Sequence, residues 1–98
     1  RFVIGGRARP TADLDLRTLG LVLERNGEPV SFGAGAAVLG HPAAAVAMLA
    51  NHLGARGEEI PAGSIILSGG ITEAVAVAVG DHVTLRMQDL GSVSLRFN

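Results

Sequence analysis

The first regular pattern along the chain is a short segment in which leucine alternates with other residues. Over residues 16–25 every second position from Leu19 to Leu23 is leucine, which is the period of a half-buried β-strand. Asn26-Gly27 follows, and both residues tolerate the positive φ that a type I′ turn requires. The pattern therefore predicts a hairpin whose return strand spans residues 29–32.

A second pattern, at helical spacing, covers residues 42–55, PAAAVAMLANHLGA. Apolar residues recur every three or four positions and alanine dominates, so one helix is predicted. Pro42 suits the first helical position, where a missing N–H leaves no hydrogen bond unmade. Gly54 or Gly57 is expected to end the helix, and its alanines should allow a close approach to a sheet.

The remaining apolar runs are short and bounded by Gly, Pro or Asp, which is typical of strands. Strands are predicted at 1–4, as an edge strand, and at 64–67, 74–79, 82–87 and 92–97. Together these elements predict an α+β fold that is mostly antiparallel or mixed β with one alanine-rich helix.

The composition of the chain argues against several classes of function. Ninety-eight residues make one domain, and a formal net charge of −1 with no Trp or Tyr argues against nucleic-acid binding. The chain has no cysteine, which removes thiolate chemistry and fits a cytoplasmic location. No apolar run reaches the roughly 18 residues of a membrane span. Because the chain starts at Arg1, inside a strand-like run, we expect residues 1–98 to be the C-terminal fragment of a larger catalytic domain.

Candidate catalytic or metal-binding side chains are scattered. His41, His52 and His82 share no short ligand spacing with one another or with an acid. Asp13 and Asp15 form an Asp-x-Asp pair, but in a loop such acids are usually solvated. We therefore predict no catalytic residue and no metal ligand within this chain.

The stretch LSGGIT, residues 67–72, is different because an apolar run stops abruptly in glycines and hydroxyls. Its glycines could serve only the backbone freedom of a β-bulge or tight corner. Alternatively, Ser68, Gly69, Gly70 and Thr72 could turn N–H groups and hydroxyls toward an anionic ligand. The residue pattern leaves both interpretations open.

Three longer stretches carry a family resemblance: GAGAAVLGHPAAAVAMLAN, IPAGSIILSGGITEAVAVAVGD and LGSVSLRF. They closely resemble the C-terminal third of the decarboxylases in the hydratase/decarboxylase branch of the fumarylacetoacetate hydrolase superfamily. The likeness extends through RFVIGGRARP and LDLRTLGLVLERNGE, and so covers nearly the whole chain. AMLAN with GGIT favours the decarboxylases, since the sister hydratases more often have AWLAN and a GS-T loop.

The resemblance implies the C-terminal part of a fumarylacetoacetase C-terminal-like β-fold. It also implies metal-dependent decarboxylation of 4-oxalocrotonate (2-oxo-3-hexenedioate) to 2-hydroxypenta-2,4-dienoate in the meta-cleavage catabolism of aromatic compounds. The alternatives are the hydratase that adds water to that dienoate and a non-catalytic β-rich interaction module. The cofactor implied is Mg²⁺ or Mn²⁺, whose ligands, a Glu-x-Glu pair and a further Glu, would lie upstream, as would a Lys.

For this chain the resemblance implies a substrate-binding loop. In the family, the loop matching Ser68, Gly69, Gly70 and Thr72 lines the pocket beside the metal, and Thr72 would donate a hydrogen bond to a substrate carboxylate. The expected partners are a small oxo-diacid, further copies of the chain in a homo-oligomer, and the pathway hydratase.

Overall fold

The computed structural model describes residues 1–98 as a four-stranded antiparallel sheet with one α-helix. The strands pair in the order β2-β1-β3-β4, so the second hairpin lies directly beside the first. The predicted α+β arrangement is therefore confirmed. The elements are β1 (Gly20–Arg25), β2 (Glu28–Ala34), α1 (Pro42–Gly54), β3 (His82–Met87) and β4 (Gly91–Arg96).

The hairpin β1–β2 turns at the predicted dipeptide. Asn26 has φ 52° and Gly27 has φ 83°, the positive values at both central positions that a type I′ turn demands. The register shifts between Leu23 and Glu24, where the bulge leaves Val30 without a partner on β1. The bulge adds local twist, and the two strands stay paired as far as Gly20 and Ala34.

The register gives the sheet two chemically different faces. On one face, Leu21 lies opposite Met87 and Leu23 lies opposite Leu85, so the central strands present a continuous apolar surface. The other face is mixed: Arg86 Nε donates to Glu24 Oε1 at 3.0 Å, and Val22 lies opposite the exposed Phe32.

Helix α1 forms as predicted and begins with an N-cap. His41 Nδ1 accepts the backbone N–H of Ala43 at 3.0 Å, and Pro42 occupies the first turn. Past the end of the helix Gly57 takes φ 73°, and the N–H of Glu58 returns to the Leu53 carbonyl at 2.9 Å. The helix packs on the short 3₁₀ helix Gly35–Ala37 and buries none of its own residues.

Although no uninterrupted apolar run reaches the length of a membrane span, the stretch Gly35–Gly54, which includes His41 and His52, is long and apolar enough to cross a membrane by length and mean composition alone. The α-helix within this stretch is shorter, because the positive φ of Leu39 (52°) and Gly40 (82°) prevents helical structure before Pro42. Thirteen helical residues span about 20 Å, against a hydrocarbon core of about 30 Å. The stretch is therefore a weak candidate for a membrane span.

Three predicted strands, 1–4, 64–67 and 74–79, do not form, so these predictions were wrong. A strand needs a neighbour that accepts and donates backbone hydrogen bonds, and these segments have none in this chain. Their apolar side chains, which suggested buried strands, are exposed: Leu67 is 65% exposed and Val79 is 84% exposed. Alternation of apolar residues indicates a capacity for pairing, but a strand forms only where a pairing neighbour is present.

The chain as a whole buries little of itself. Only four of its 98 residues are buried, Leu19, Leu21, Gly35 and Val38. Its accessible surface is 7064 Å², whereas a folded protein of 10.0 kDa is expected to expose about 5,200 Å². The radius of gyration is 15.1 Å, against about 13 Å for a compact chain of this length. Much apolar surface is thus left uncovered.

Candidate functional site

Residues 68–72 cross the apolar face of the sheet. Ile71 is half-buried there, while Ser68, Gly69 and Gly70 are exposed. The Ile71 side chain lies over Gly33 of β2, where a Cβ would come within 2.8 Å of Ile71 Cγ2. A loop of small residues is therefore held against the sheet by its one large side chain.

Two of the predicted substrate-binding residues, Gly69 and Thr72, line the same pocket with Ile71. The pocket has a volume of about 250 Å³, and its wall is the apolar face of the sheet. It joins polar loop groups to a hydrocarbon surface, as small-molecule sites commonly do. The sheet residues that line it are Leu21, Leu23, Leu85 and Met87.

Ser68 lies in a different groove, so the structure does not bring all the predicted residues together. This second groove, of about 550 Å³, runs between α1 and the segment before the loop. Ser68 shares it with Ile66 and with the alanine-rich side of the helix, including Ala43 and Ala47. Gly70 lines neither space, and a Cβ there would lie 3.4 Å from the Thr72 carbonyl oxygen.

The hydrogen-bonding groups of the loop are largely free to bind a ligand. The N–H groups of Gly69, Gly70 and Thr72 donate to no group of this chain. The Thr72 hydroxyl donates only to the neighbouring Glu73 carbonyl, at 3.2 Å. Gly69 has φ 101°, a conformation that favours glycine, so both open interpretations of the loop fit this backbone. The loop both turns a corner of the chain and presents N–H donors.

The other candidate side chains have local structural roles. His41 caps α1, and Asp15 accepts the N–H groups of Arg17 at 3.1 Å and Thr18 at 3.3 Å. Glu58 pairs with Arg56 at 3.3 Å on the surface. No three His, Asp or Glu side chains converge in the chain. These residues do not fit a divalent cation site, which needs several carboxylate or carbonyl oxygens around one point.

The sequence reasoning missed the sheet side of the pocket, including Gly33. The alternation of Leu21 and Leu23 predicted that one face of β1 is apolar, but the pairing with Leu85 and Met87 depends on long-range register. Gly33 could have been identified from its position directly after the predicted strand 29–32. A glycine there indicates either a β-bulge or a place where another part of the protein approaches the backbone closely.

The chain is similar to known proteins in family, in sequence and in structure. Residues 2–98 match the family described as fumarylacetoacetate (FAA) hydrolase C-terminal. The 4-oxalocrotonate decarboxylase of Pseudomonas sp. (strain CF600) is 67% identical over 97 residues, which are 99% of this chain and 37% of that protein. The 2-hydroxyhexa-2,4-dienoate hydratase of Comamonas testosteroni is 44% identical over 96 residues, which are 98% of this chain and 36% of that protein.

A solved structure of 4-oxalocrotonate decarboxylase from Pseudomonas putida G7, complexed with magnesium and adipate, superimposes with a TM-score of 0.91. It is 64% identical in sequence, and the match covers 96% of this chain and 36% of that one. A second structure of that enzyme is complexed with calcium and acetate. This chain therefore spans about 37% of the length of the curated decarboxylase that it matches.

Proposed function

The chain belongs to the fumarylacetoacetate hydrolase family, and from that membership we propose that it is the C-terminal part of a 4-oxalocrotonate decarboxylase. The observation that carries the proposal is the high identity to two 4-oxalocrotonate decarboxylases, 67% and 65%, whereas a third, from Pseudomonas sp., is 40% identical. The decarboxylase from strain CF600 is 67% identical to this chain, whereas the Comamonas hydratase is 44% identical. The pathway hydratase activity is the second candidate, since both enzyme names occur in the family.

The proposed reaction breaks the bond between C5 and C6 of 2-oxo-3-hexenedioate. The C6 carboxylate leaves as CO₂, and its bonding electrons pass through C5, C4 and C3 to the C2 oxygen. A proton taken up on that oxygen gives 2-hydroxypenta-2,4-dienoate. The reaction thus needs a group that holds the diacid with its conjugated carbons in one plane, and groups that favour negative charge at the oxo end.

Within this chain we assign the holding role to the loop of Ser68, Gly69, Gly70 and Thr72, with Gly69 and Thr72 in direct contact with the substrate because these two line the pocket on the sheet. The unengaged N–H groups of Gly69, Gly70 and Thr72 are suited to a carboxylate, because charge-assisted hydrogen bonds to N–H are strong. The apolar wall beside them suits the hydrocarbon part of the acid. Adipate is also a six-carbon diacid, and its presence in the Pseudomonas putida G7 enzyme supports this substrate class.

The metal ligands are assigned to a part of the protein outside this chain. No acidic cluster converges here, and no step of the reaction is assigned to a metal held by these residues. The calcium and magnesium complexes of the Pseudomonas putida G7 enzyme support a divalent cation, Mg²⁺ or Mn²⁺, for the full-length protein.

The uncovered surface supports the assignment to a larger catalytic domain. The segments 1–4, 64–67 and 74–79 carry apolar side chains without strand partners, and the accessible surface of 7064 Å² exceeds what a compact 10.0 kDa domain exposes. We propose that upstream residues of the same protein cover these segments. The full-length protein is further proposed to be a cytoplasmic homo-oligomer that works with the pathway hydratase, as family membership suggests.

The test is product analysis with the full-length protein. Incubation with 2-oxo-3-hexenedioate and Mg²⁺ should release one CO₂ per substrate and form 2-hydroxypenta-2,4-dienoate. In a parallel reaction the dienoate itself is supplied. Water addition to the dienoate without CO₂ from the diacid would identify the hydratase instead. Turnover of neither compound would favour the non-catalytic interaction module.

A further inference from the structure

We propose that Gly33 and Ile71 are positioning residues, which together set the height of the substrate loop above the sheet. Gly33 supplies a notch in the apolar face, and the Ile71 side chain occupies it. This inference rests on the proposed function of the loop, and it adds the device that fixes the place of Thr72.

The notch follows from the register of the sheet. Met87 of β3, Leu21 of β1 and Gly33 of β2 form one row across the apolar face. At the Gly33 end of this row the side chain is missing, and Ile71 fills the space. A Cβ on Gly33 would lie 2.8 Å from Ile71 Cγ2 and 3.6 Å from both the Ile71 carbonyl oxygen and Thr72 Cγ2.

Steric exclusion is the reason for glycine at this position. Gly33 is not among the residues with positive φ, so its backbone conformation is open to any residue. Cβ contacts under about 3 Å do not occur without a shift of one partner. The only atom of the chain that a methyl group here would strike so closely belongs to the substrate loop.

Ile71 cannot simply turn aside. Its Cγ2 is attached directly to Cβ, and β-branched side chains are stiff at χ1. A methyl group on Gly33 would therefore push the Ile71 backbone, and with it the next residue, Thr72. Hydrogen bonds weaken steeply as distance and angle change, and a misplacement of about 1 Å can cost on the order of 100-fold in rate.

The first variant is Gly33→Ala in the full-length enzyme. We expect the KM for 2-oxo-3-hexenedioate, and the Kd for adipate in saturating Mg²⁺, to rise about tenfold through a weakened charge-assisted hydrogen bond. The affinity for Mg²⁺ alone should stay unchanged. The matched control is Gly20→Ala, also a strand glycine, whose added Cβ would meet only Gln88 Oε1 at 3.8 Å. This control should bind adipate as the parent does.

The second variant tests the pairing of the two residues. Ile71→Ala alone should weaken adipate binding, since the loop loses its anchor. In that background, adding Gly33→Ala should cause no further loss, because the methyl group now has room. Two independent structural defects would instead multiply their effects.

The proposal is overturned if Gly33→Ala matches the parent in adipate affinity and KM, or if the double variant shows the product of the two single losses. If Gly33→Ala does not fold, the double variant decides: folding with the adipate affinity of Ile71→Ala supports the proposal, and failure to fold contradicts it. Adipate binding requires no turnover. An enzyme that binds adipate but releases no CO₂ would therefore contradict the proposed reaction. The adipate affinities of the variants would still decide whether Gly33 and Ile71 position the loop.

Discussion

Asn26 and Asp81 are 55 positions apart in sequence and are joined by a hydrogen bond of 2.9 Å, in which Asn26 Nδ2 donates to Asp81 Oδ1. Asn26 Oδ1 accepts the N–H of His82 at 2.9 Å, and Asp81 Oδ2 accepts the N–H of Ala78 at 2.9 Å. The turn of the first hairpin is thereby tied to the chain entering β3. The side chain of Asn26 links the turn to this segment, while its backbone forms the turn.

This contact predicts a pH-dependent contribution to stability. The Asn26 amide, and then the Ala78 N–H, hold the pKa of Asp81 below its ordinary value of 3.8. A carboxyl whose pKa is lower in the folded state stabilises the fold above its unfolded pKa, and this stabilisation is lost as the pH falls through the folded pKa. Asp81→Asn should therefore be less stable than the parent at neutral pH, and the two should converge in acid.

Urea denaturation of the full-length parent and of Asp81→Asn, at a series of pH values from about 7 down to about 2, measures this difference. A difference in the free energy of unfolding that stays constant across the series would show that the Asp81 carboxylate makes no pH-dependent contribution.

The turn itself gives a second prediction. Gly27→Val should destabilise the full-length protein by about 1–2 kcal/mol, because a β-branched residue resists the observed φ of 83°. The control is Gly6→Val, at a glycine without positive φ and with no atom within 4 Å of an added Cβ. Thermal unfolding compares the two, and equal melting temperatures would contradict the turn requirement.

Gly35 gives a third prediction, on packing. Gly35 is buried, its N–H donates to the Leu19 carbonyl at 3.0 Å, and an added Cβ would overlap the Leu16 carbonyl oxygen. Backbone cannot yield as a flexible side chain does, so Gly35→Ala should cost about 3 kcal/mol of folding stability. Chemical denaturation against the Gly20→Ala control measures it. A loss equal to that of the control would mean that the loop at Leu16 moves freely.

Thr72 gives the functional prediction. In the full-length enzyme Thr72→Ala should lower kcat/KM for the oxo-diacid about 10- to 150-fold, the cost of one hydrogen bond to a charged group. In this structure the hydroxyl is engaged only with the exposed Glu73 carbonyl, so its removal should leave the fold intact. If the contact is equally strong in the ground and transition states, the loss will appear mainly in KM.

Steady-state kinetics with Thr72→Ser as the matched variant completes this test. The serine keeps the hydroxyl and should retain most of the activity. Parental turnover by Thr72→Ala would assign Thr72 to the corner of the loop and not to the substrate.

The last prediction concerns the metal. The isolated 98-residue chain should bind Mg²⁺ no better than a surface carboxylate does, because its acids do not converge in octahedral geometry. Calorimetric titration of the isolated chain measures this directly. A stoichiometric site of micromolar affinity would show that the ligands lie within these residues after all.

The sequence by itself determined the elements whose causes are local. The Asn26-Gly27 turn follows from backbone tolerance of positive φ, and helix α1 follows from alanine spacing and Pro42. Strand β3 was predicted with its observed bounds, because Val83, Leu85 and Met87 alternate with other residues just after Gly80-Asp81. For these elements the information lies within a few residues along the chain.

Tertiary structure decided what depends on distant partners. Segments 64–67 and 74–79 have the composition of strands, yet without a pairing neighbour they stay outside the sheet. The loop residues were predicted as one set, but the path of the chain over the sheet places Thr72 in the pocket and Ser68 beside the helix. The fit of Ile71 to Gly33 depends on strand register and loop position, and neither is set by residues close in sequence.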